Sequence, residues 1–390
     1  MNSLWDEATA QRQSTALALR AYTSRLIGGN PDLVLQGGGN TSLKMQDTLY
    51  VKGTGADLSS VTEEHFTALD LPKLRQLLDD PQCSDAGRMH GVEACKKNAL
   101  AVKPSIETLM HAALPYPYVE HAHADAVLAV ANVENCQATC AEVFGELAPV
   151  VPYRHSGAGL ALACRQVFET QATSRSIGLI LAFHGVVAFG HSARESYENL
   201  LRLVTRAEDW LRSRHAWDLP VAVPAGPDAA LAEDLRGEAS ALAGFPLAMH
   251  LLCTPETLAF ARSPDLAEIA QQGPPTPQHA VYTKRIPMIC GDMAAFDRRY
   301  REYLQQMLGD MPHRIDTAPR IVLDPAFGLC AFGVNTHYAR IAAEIYRHDI
   351  AIISRASAHG RYRSAPAEDI ARAELDYGGF EQRVLRDRRP

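Results

Sequence analysis

The residue types that can do chemistry concentrate in the first half of the chain. His121 and His123 are separated by one residue within Tyr118–Asp125, a stretch that alternates like a strand. Side chains two apart on a strand share a face, so both imidazoles can reach one cation at roughly 2.0–2.1 Å per nitrogen. Two ligands do not hold a metal. The best third donor is His184, at the exit of the buried apolar run Ile177–Phe183 and followed by Gly185. Three histidines with an open fourth position is the catalytic arrangement of zinc. Manganese, nickel or cobalt suit the same donors, and sequence does not choose among them.

Glu107 lies in Pro104-Ser105-Ile106-Glu107, where Ser105 can cap a helix running through Met110–Leu114. A carboxylate beside a metal can move protons. By position alone Glu107 serves equally as a first-turn acid complementing the helix dipole. The glycine clusters Gly37-Gly38-Gly39-Asn40-Thr41-Ser42 and Gly53-Thr54-Gly55 offer exposed backbone N–H groups of the kind that cradle phosphate or carboxylate, or form plain tight turns. No Gly-Lys-Ser/Thr follows either of them, so neither is a Walker loop. Ser156-Gly157-Ala158-Gly159 lacks the third glycine and the leading strand of a dinucleotide turn and reads as a loop.

The elements that must position these groups follow from periodicity and punctuation. Residues 5–28 read as one amphipathic helix ending at Gly28-Gly29-Asn30-Pro31. Leu49–Lys52 reads as a strand, 62–79 as a helix and 80–103 as an irregular excursion. A strand over Tyr118–Asp125 feeds a helix from about Ala126, and 159–172 is helical. Ile177–Phe183 and Gly185–Gly190 are strands, and Ser192–Arg212 is a long helix. Alternating strands and helices define an α/β class. The Pro- and Gly-rich stretch 220–227 is the expected linker between a catalytic domain, 1–219, and a smaller α/β domain, 228–390. In that second domain Phe327–Gly333 repeats the pattern of His184–Gly190, again after a strand and before a helix. Two readings stand: a degenerate copy whose metal histidine has become Phe327, or a chance likeness of two strand–turn–helix units.

A chain of 390 residues exceeds one ordinary core, which also favours two domains. With 47% hydrophobic and 21% charged residues the composition is globular. The net charge of −7, with acids and bases interspersed, excludes a nucleic-acid partner. No stretch reaches the roughly 18–20 apolar residues of a membrane span, and the acidic N-terminus lacks the apolar core of a signal peptide. Eight scattered cysteines read as reduced thiols in a cytoplasmic protein.

Together, Gly39-Asn40-Thr41-Ser42, Gly53-Thr54-Gly55, Pro104-Ser105-x-Glu107, His121-x-His123 and His184-Gly185, in that order, resemble the class II aldolase/adducin family over roughly residues 10–215. The remainder, including Gly273–Pro277 and Thr283–Pro287, resembles the aldolase portion of long bifunctional rhamnulose-1-phosphate aldolase/alcohol dehydrogenases, without their dehydrogenase domain. The resemblance implies an α/β/α sandwich, with His121, His123 and His184 as zinc ligands and Glu107 as catalytic acid/base. It implies that Gly39, Asn40, Thr54, Gly55 and Ser105 hold the substrate's phosphate. It further implies a homo-oligomer acting on a small anionic substrate: a lyase performing retro-aldol cleavage of a ketose phosphate or related hydroxy-ketone through a metal-stabilised enediolate. Decarboxylation, dehydration or epimerisation at the same metal site are the alternatives, and a non-catalytic adducin-like binding protein ranks below them. Two positions depart from the family pattern. Ile106 stands where a second serine is common, and Gly37 stands where another phosphate-binding hydroxyl is found.

Overall fold

The computed structural model describes residues 1–223, 226–309 and 315–386; Pro224 and Ala225, within the expected linker, lie outside the described residues. The chain divides into two compact units. Unit 1 combines Met1–Ala131 with Asn135–Ser213, and unit 2 combines Asn132–Glu134 with the chain from Arg214 onward.

Unit 1 is built on a seven-stranded sheet of β1 (Asn40–Met45), β2 (Thr48–Lys52), β3 (Phe66–Asp70), β4 (Tyr118–Ala122), β5 (Val150–Val151), β6 (Gly178–Leu181) and β7 (Gly185–Gly190). The spatial order is β3-β2-β1-β4-β7-β6-β5. Neighbours run antiparallel except β5 and β6. Helices Leu71–Asp79, Thr108–Ala113 and Ala158–Gln171 pack on one face through Leu74, Leu109, Leu160, Val119 and Val187. Each such fully buried aliphatic side chain contributes about 1.5–3 kcal/mol. Helices Ala16–Gly28 and Ala193–Ser213 lie on the other face, where Arg20 and Ser196 reach Glu120 of β4. The expected α/β/α sandwich is therefore present.

Several local expectations are corrected. The helix read over 5–28 is two helices, Glu7–Gln11 and Ala16–Gly28, because the Thr15 hydroxyl caps the second by accepting from the Ala18 N–H. The helix read over 62–79 begins only at Leu71. Phe66–Asp70 pairs with β2 as an edge strand, and Asp70 then caps the helix, with a proline in its first turn. The excursion 80–103 contains a helix, Asp85–Ala94, capped by Ser84. Residues 118–125 are strand only to Ala122, and the following helix starts at Asp125.

Unit 2 has its own four-stranded sheet: β8 (Ala248–Leu252), β9 (Met288–Ile289), β10 (Ile321–Asp324) and β11 (Gly328–Gly333), in the order β8-β11-β10-β9. This is the order and sense of β4-β7-β6-β5: two antiparallel pairs, then a parallel one. The ladders agree in register. Tyr118 faces Gly190 as Ala248 faces Gly333, and Leu181 faces Gly185 as Asp324 faces Gly328. By that register Leu251 stands where His121 does, and Phe327 stands where His184 does.

β4 is anchored from behind by the buried Arg20–Glu120 pair, with Arg20 Nη1 2.6 Å from Glu120 Oε1 and both side chains fully buried. Ser196 Oγ also donates to Glu120 Oε1 at 2.7 Å. Removing one partner of such a pair strands the other charge. Arg20→Met is expected to lower unfolding stability by about 3–5 kcal/mol, and adding Glu120→Leu should recover most of that loss. Chemical denaturation of the single and double variants checks the sign of the recovery.

Candidate active site

β4 turns the His121 side chain toward the face carrying helices Thr108–Ala113 and Ala158–Gln171, since Val119, two residues earlier, packs there. His123 follows just beyond the strand's end. His184 sits in the β6–β7 hairpin, where its N–H donates to the Leu181 carbonyl at 3.1 Å and Phe183 adopts φ +55°. Gly185 makes the approach possible. A Cβ there would lie 2.4 Å from the Ala122 carbonyl oxygen and 3.1 Å from His123 Cδ2. Gly39 is constrained in the same way, at φ +61°, where a Cβ would meet the His121 carbonyl at 2.7 Å.

The result is a triangle of imidazoles with ring centroids 4.8, 4.9 and 5.2 Å apart. One nitrogen from each of His121, His123 and His184 lies within 4.8 Å of the others, and all three residues are buried. His121 Nε2 and His123 Nε2 are 3.0 Å apart. Two nitrogens on a tetrahedral zinc stand about 3.3 Å apart, given bonds of roughly 2.0–2.1 Å. His121 Nδ1 is 3.1 Å from the Val186 carbonyl. A carbonyl only accepts, so Nδ1 carries the proton and Nε2 keeps its lone pair facing the triangle. Burial, opposed by the nearby Glu107 charge, pushes the His121 imidazole down to about 4, so it is neutral near pH 7. The donor set fits a divalent cation.

Glu107, 4% exposed, closes the site. Its Oε1 is 2.9 Å from His184 Nε2, and its Oε2 is 3.3 Å from His121 Nε2. Asn40 Nδ2 donates to Oε2 at 2.6 Å, and Ser156 Oγ donates to Oε1 at 3.3 Å. Burial alone would raise this carboxyl. The imidazoles of His121, His184 and His123, with the His184 hydrogen bond, outweigh it and hold the carboxyl well below its usual range. Glu107 occupies the cap position of helix Thr108–Ala113. Ser105 is not the cap as expected. Its Oγ instead accepts the Glu107 N–H at 3.2 Å.

The glycine clusters flank this centre. Lys52 Nζ donates to the carbonyls of Gly37 and Gly39 at 2.9 and 3.2 Å. Burial lowers its ammonium to about 8, against the pull of Asp57 and Glu107. Thr54 and Gly55 are exposed on the turn after β2. That turn is tied to the 103–104 segment through Thr54 N–H to the Lys103 carbonyl (2.7 Å) and Thr54 Oγ1 to the Pro104 carbonyl (3.0 Å). Ile106 is half exposed, and the space beside Gly37 is open. Hydrogen bonds thus join Asn40, Ser105 and Glu107 to the histidine triangle, Gly39 closes on the His121 carbonyl, and Thr54 and Gly55 stand on the adjoining loop. Sequence reasoning missed Lys52, His111 and Ser156. The Ser156 segment reads only as a loop from sequence, and a lysine inside an apolar strand is the one signal that marks Lys52.

Residues 18–211 match the family described as Class II Aldolase and Adducin N-terminal domain, and residues 227–385 match Aldolase class II, second domain. The chain belongs to the class II aldolase/adducin family. A curated relative, the Uncharacterized oxidoreductase YuxG of Bacillus subtilis (strain 168), is 26% identical over 398 residues, covering 93% of this chain and 57% of that protein. The chain thus spans little more than half the length of that relative. Among solved structures, the N-terminal class II aldolase domain of a conserved protein from Thermoplasma acidophilum is 31% identical with a TM-score of 0.49, covering 54% of this chain and all of that one. The L-fuculose-1-phosphate aldolase from Thermus thermophilus is 16% identical with a TM-score of 0.35, covering 50% and 95%.

Metal-free protein titrated with zinc against a chromophoric chelator is expected to take up about one equivalent. His123→Ala and His184→Ala should each weaken binding by more than the ~10–100-fold that loss of an outer hydrogen-bond partner costs. Unchanged affinity in either variant removes that residue from the donor set.

Proposed function

We propose that the chain is a metal-dependent carbon–carbon lyase that cleaves a ketose phosphate or related hydroxy-ketone by a retro-aldol reaction. The observation that carries this reading is the buried Glu107 carboxylate, in contact with two of three converging imidazoles. A divalent ion held by His121, His123 and His184, zinc foremost and manganese, nickel or cobalt after it, would supply Lewis-acid polarisation of the substrate's carbonyl and hydroxyl oxygens. Glu107, a carboxylate at rest, would take up the proton that the substrate's hydroxyl gives up as the carbon–carbon bond breaks and return it to the released carbon, and its position beside the imidazoles keeps that proton within the site. Asn40 holds the carboxylate in place through its 2.6 Å hydrogen bond.

The anionic end of the substrate would lie against Gly39, Asn40, Thr54, Gly55 and Ser105. Lys52 supplies positive charge beneath that loop. With Gly37 and Ile106 in place of hydroxyl donors, backbone N–H groups and the ammonium do more of the anion binding. The proposal includes a homo-oligomer, whose mass light scattering reads. It also takes unit 2 as a degenerate copy of unit 1, on the shared strand order and register described above.

An assay that reduces any released aldehyde with a coupled reductase separates the readings. Cleavage of a ketose phosphate registers there, a decarboxylase releases carbon dioxide instead, and an adducin-like binding protein does neither. Glu107→Gln should lower turnover by about 10²–10⁴-fold while keeping the metal. Wild-type rates in that variant would sink the acid/base role of Glu107.

A further inference from the structure

His111 lies in helix Thr108–Ala113, one turn beyond Glu107, and is fully buried. Residues four apart on a helix share a face, so Glu107 and His111 both look onto β1. There Asn40 and Ser42, two apart, share a face of the strand. The imidazole spans them. His111 Nε2 is 2.5 Å from Asn40 Oδ1, and Nδ1 is 2.8 Å from Ser42 Oγ. Asn40 Nδ2 is 2.6 Å from Glu107 Oε2 on the other side.

Donor and acceptor roles along this chain follow from its charged end. A carboxylate only accepts, so Asn40 turns its NH₂ toward Glu107 and its carbonyl oxygen toward His111. His111 Nε2 must therefore carry the proton. Burial holds this imidazole well below its ordinary value, aided by Lys44, His121 and Arg20 and opposed by Glu107, so the ring is neutral. Its Nδ1 then accepts from the Ser42 hydroxyl. An Asn40 amide flipped by half a turn would aim a carbonyl oxygen at the carboxylate and an NH₂ at the Nε2–H. Both contacts would be repulsive.

We propose that His111 is a positioning residue: it locks the Asn40 amide in the one orientation that keeps an N–H donor on Glu107, and so fixes the acid/base beside the three-histidine centre. The catalytic consequence rests on the lyase reading above, whereas the orientation of the chain does not.

The test uses the full chain in two arms. Long-range ¹H–¹⁵N spectra of imidazole-labelled, metal-free protein near neutral pH should show His111 as the neutral Nε2–H tautomer. An Nδ1–H tautomer or an imidazolium overturns the proposal whatever the activity. In the zinc-loaded protein, His111→Phe keeps ring bulk without a donor. It should lower kcat about 10–100-fold, the loss expected for one hydrogen bond feeding a charged group, with KM changed less than about 3-fold and the metal retained. His111→Gln returns an N–H near the position of Nε2 and should recover kcat to within about 5-fold of the parent. Wild-type kcat in His111→Phe overturns the role, and so does an equal loss in both variants, which marks a packing effect. If the parent protein releases no aldehyde from any ketose phosphate, the lyase reading fails and the spectra alone decide the chain.

Discussion

Keeping a carboxylate ionised inside a protein costs several kcal/mol unless partners replace the lost water, and Glu107 is 4% exposed. Its partners come from four places in the sequence: Asn40 at the start of β1, His121 on β4, Ser156 before helix Ala158–Gln171, and His184 in the β6–β7 hairpin. No local segment can satisfy this group, so the site exists only when the central strands are paired in register. The same constraint explains the close approaches. Asn40 reaches Glu107 because Asn40 faces His121 directly across the β1–β4 ladder, and Gly39 lets the two backbones meet there. His184 reaches Glu107 because Gly185 leaves room at the end of β4.

β4 carries opposite chemistry on its two faces. His121 faces the carboxylate and the other imidazoles, and Glu120, one residue earlier, faces Arg20 and Ser196. Arg20 also lies 5.8 Å from the Tyr118 ring centroid, on the same side as Glu120. A one-residue slip of β4 would exchange these faces. It would set an imidazole against a guanidinium and a glutamate among imidazoles. Two buried polar networks of different character therefore enforce the register more strictly than an apolar alternation would. The strand that carries a metal-type ligand is held in place by charges that never touch the site.

Much of this was readable from the chain, because the decisive signals are periodic. His121-x-His123 announces one face of a strand, the apolar run before His184 announces a buried strand, and the order of motifs resembles the family to which the chain belongs. The same logic failed where tertiary pairing overrides local pattern. Phe66–Asp70 carries a pattern that also fits a helix, and it is a strand only because β2 offers an edge. Asp85–Ala94 is polar with few apolar positions, so its helix shows only in the Ser84 cap. Lys52, apart from its place in an apolar strand, and His111 and Ser156 escaped for a related reason. Each acts through a partner more than ten residues away: Gly37 and Gly39, Asn40 and Ser42, and Glu107 respectively. The Ser105 misreading has a local cause, since its hydroxyl meets the Glu107 N–H one step before the helix begins.

The four-strand frame occurs twice, which separates what the fold needs from what the chemistry needs. In unit 2 the place of His121 belongs to Leu251, that of His123 to Cys253 and that of His184 to Phe327. Phe327 is fully buried within an apolar cluster that Leu251 packs against. Three clustered imidazoles are stable in a core only when their nitrogens are satisfied by a cation or by one another, and apolar side chains at those places remove the requirement altogether. The frame thus tolerates either filling. It does not itself supply the acid/base. Among the described residues the sheet of unit 2 ends at β8, whereas the sheet of unit 1 continues past β4 into β1, β2 and β3. That extension brings Asn40 and Lys52, and helix Thr108–Ala113, packed against it, brings Glu107 and His111. The histidines therefore belong to the repeated frame, and the groups that would move protons and hold an anion belong to the added strands and the helix packed against them. Converting unit 2 into a like centre would take more than restoring three histidines, because among the described residues no strand lies beside β8 to support a carboxylate aimed at them.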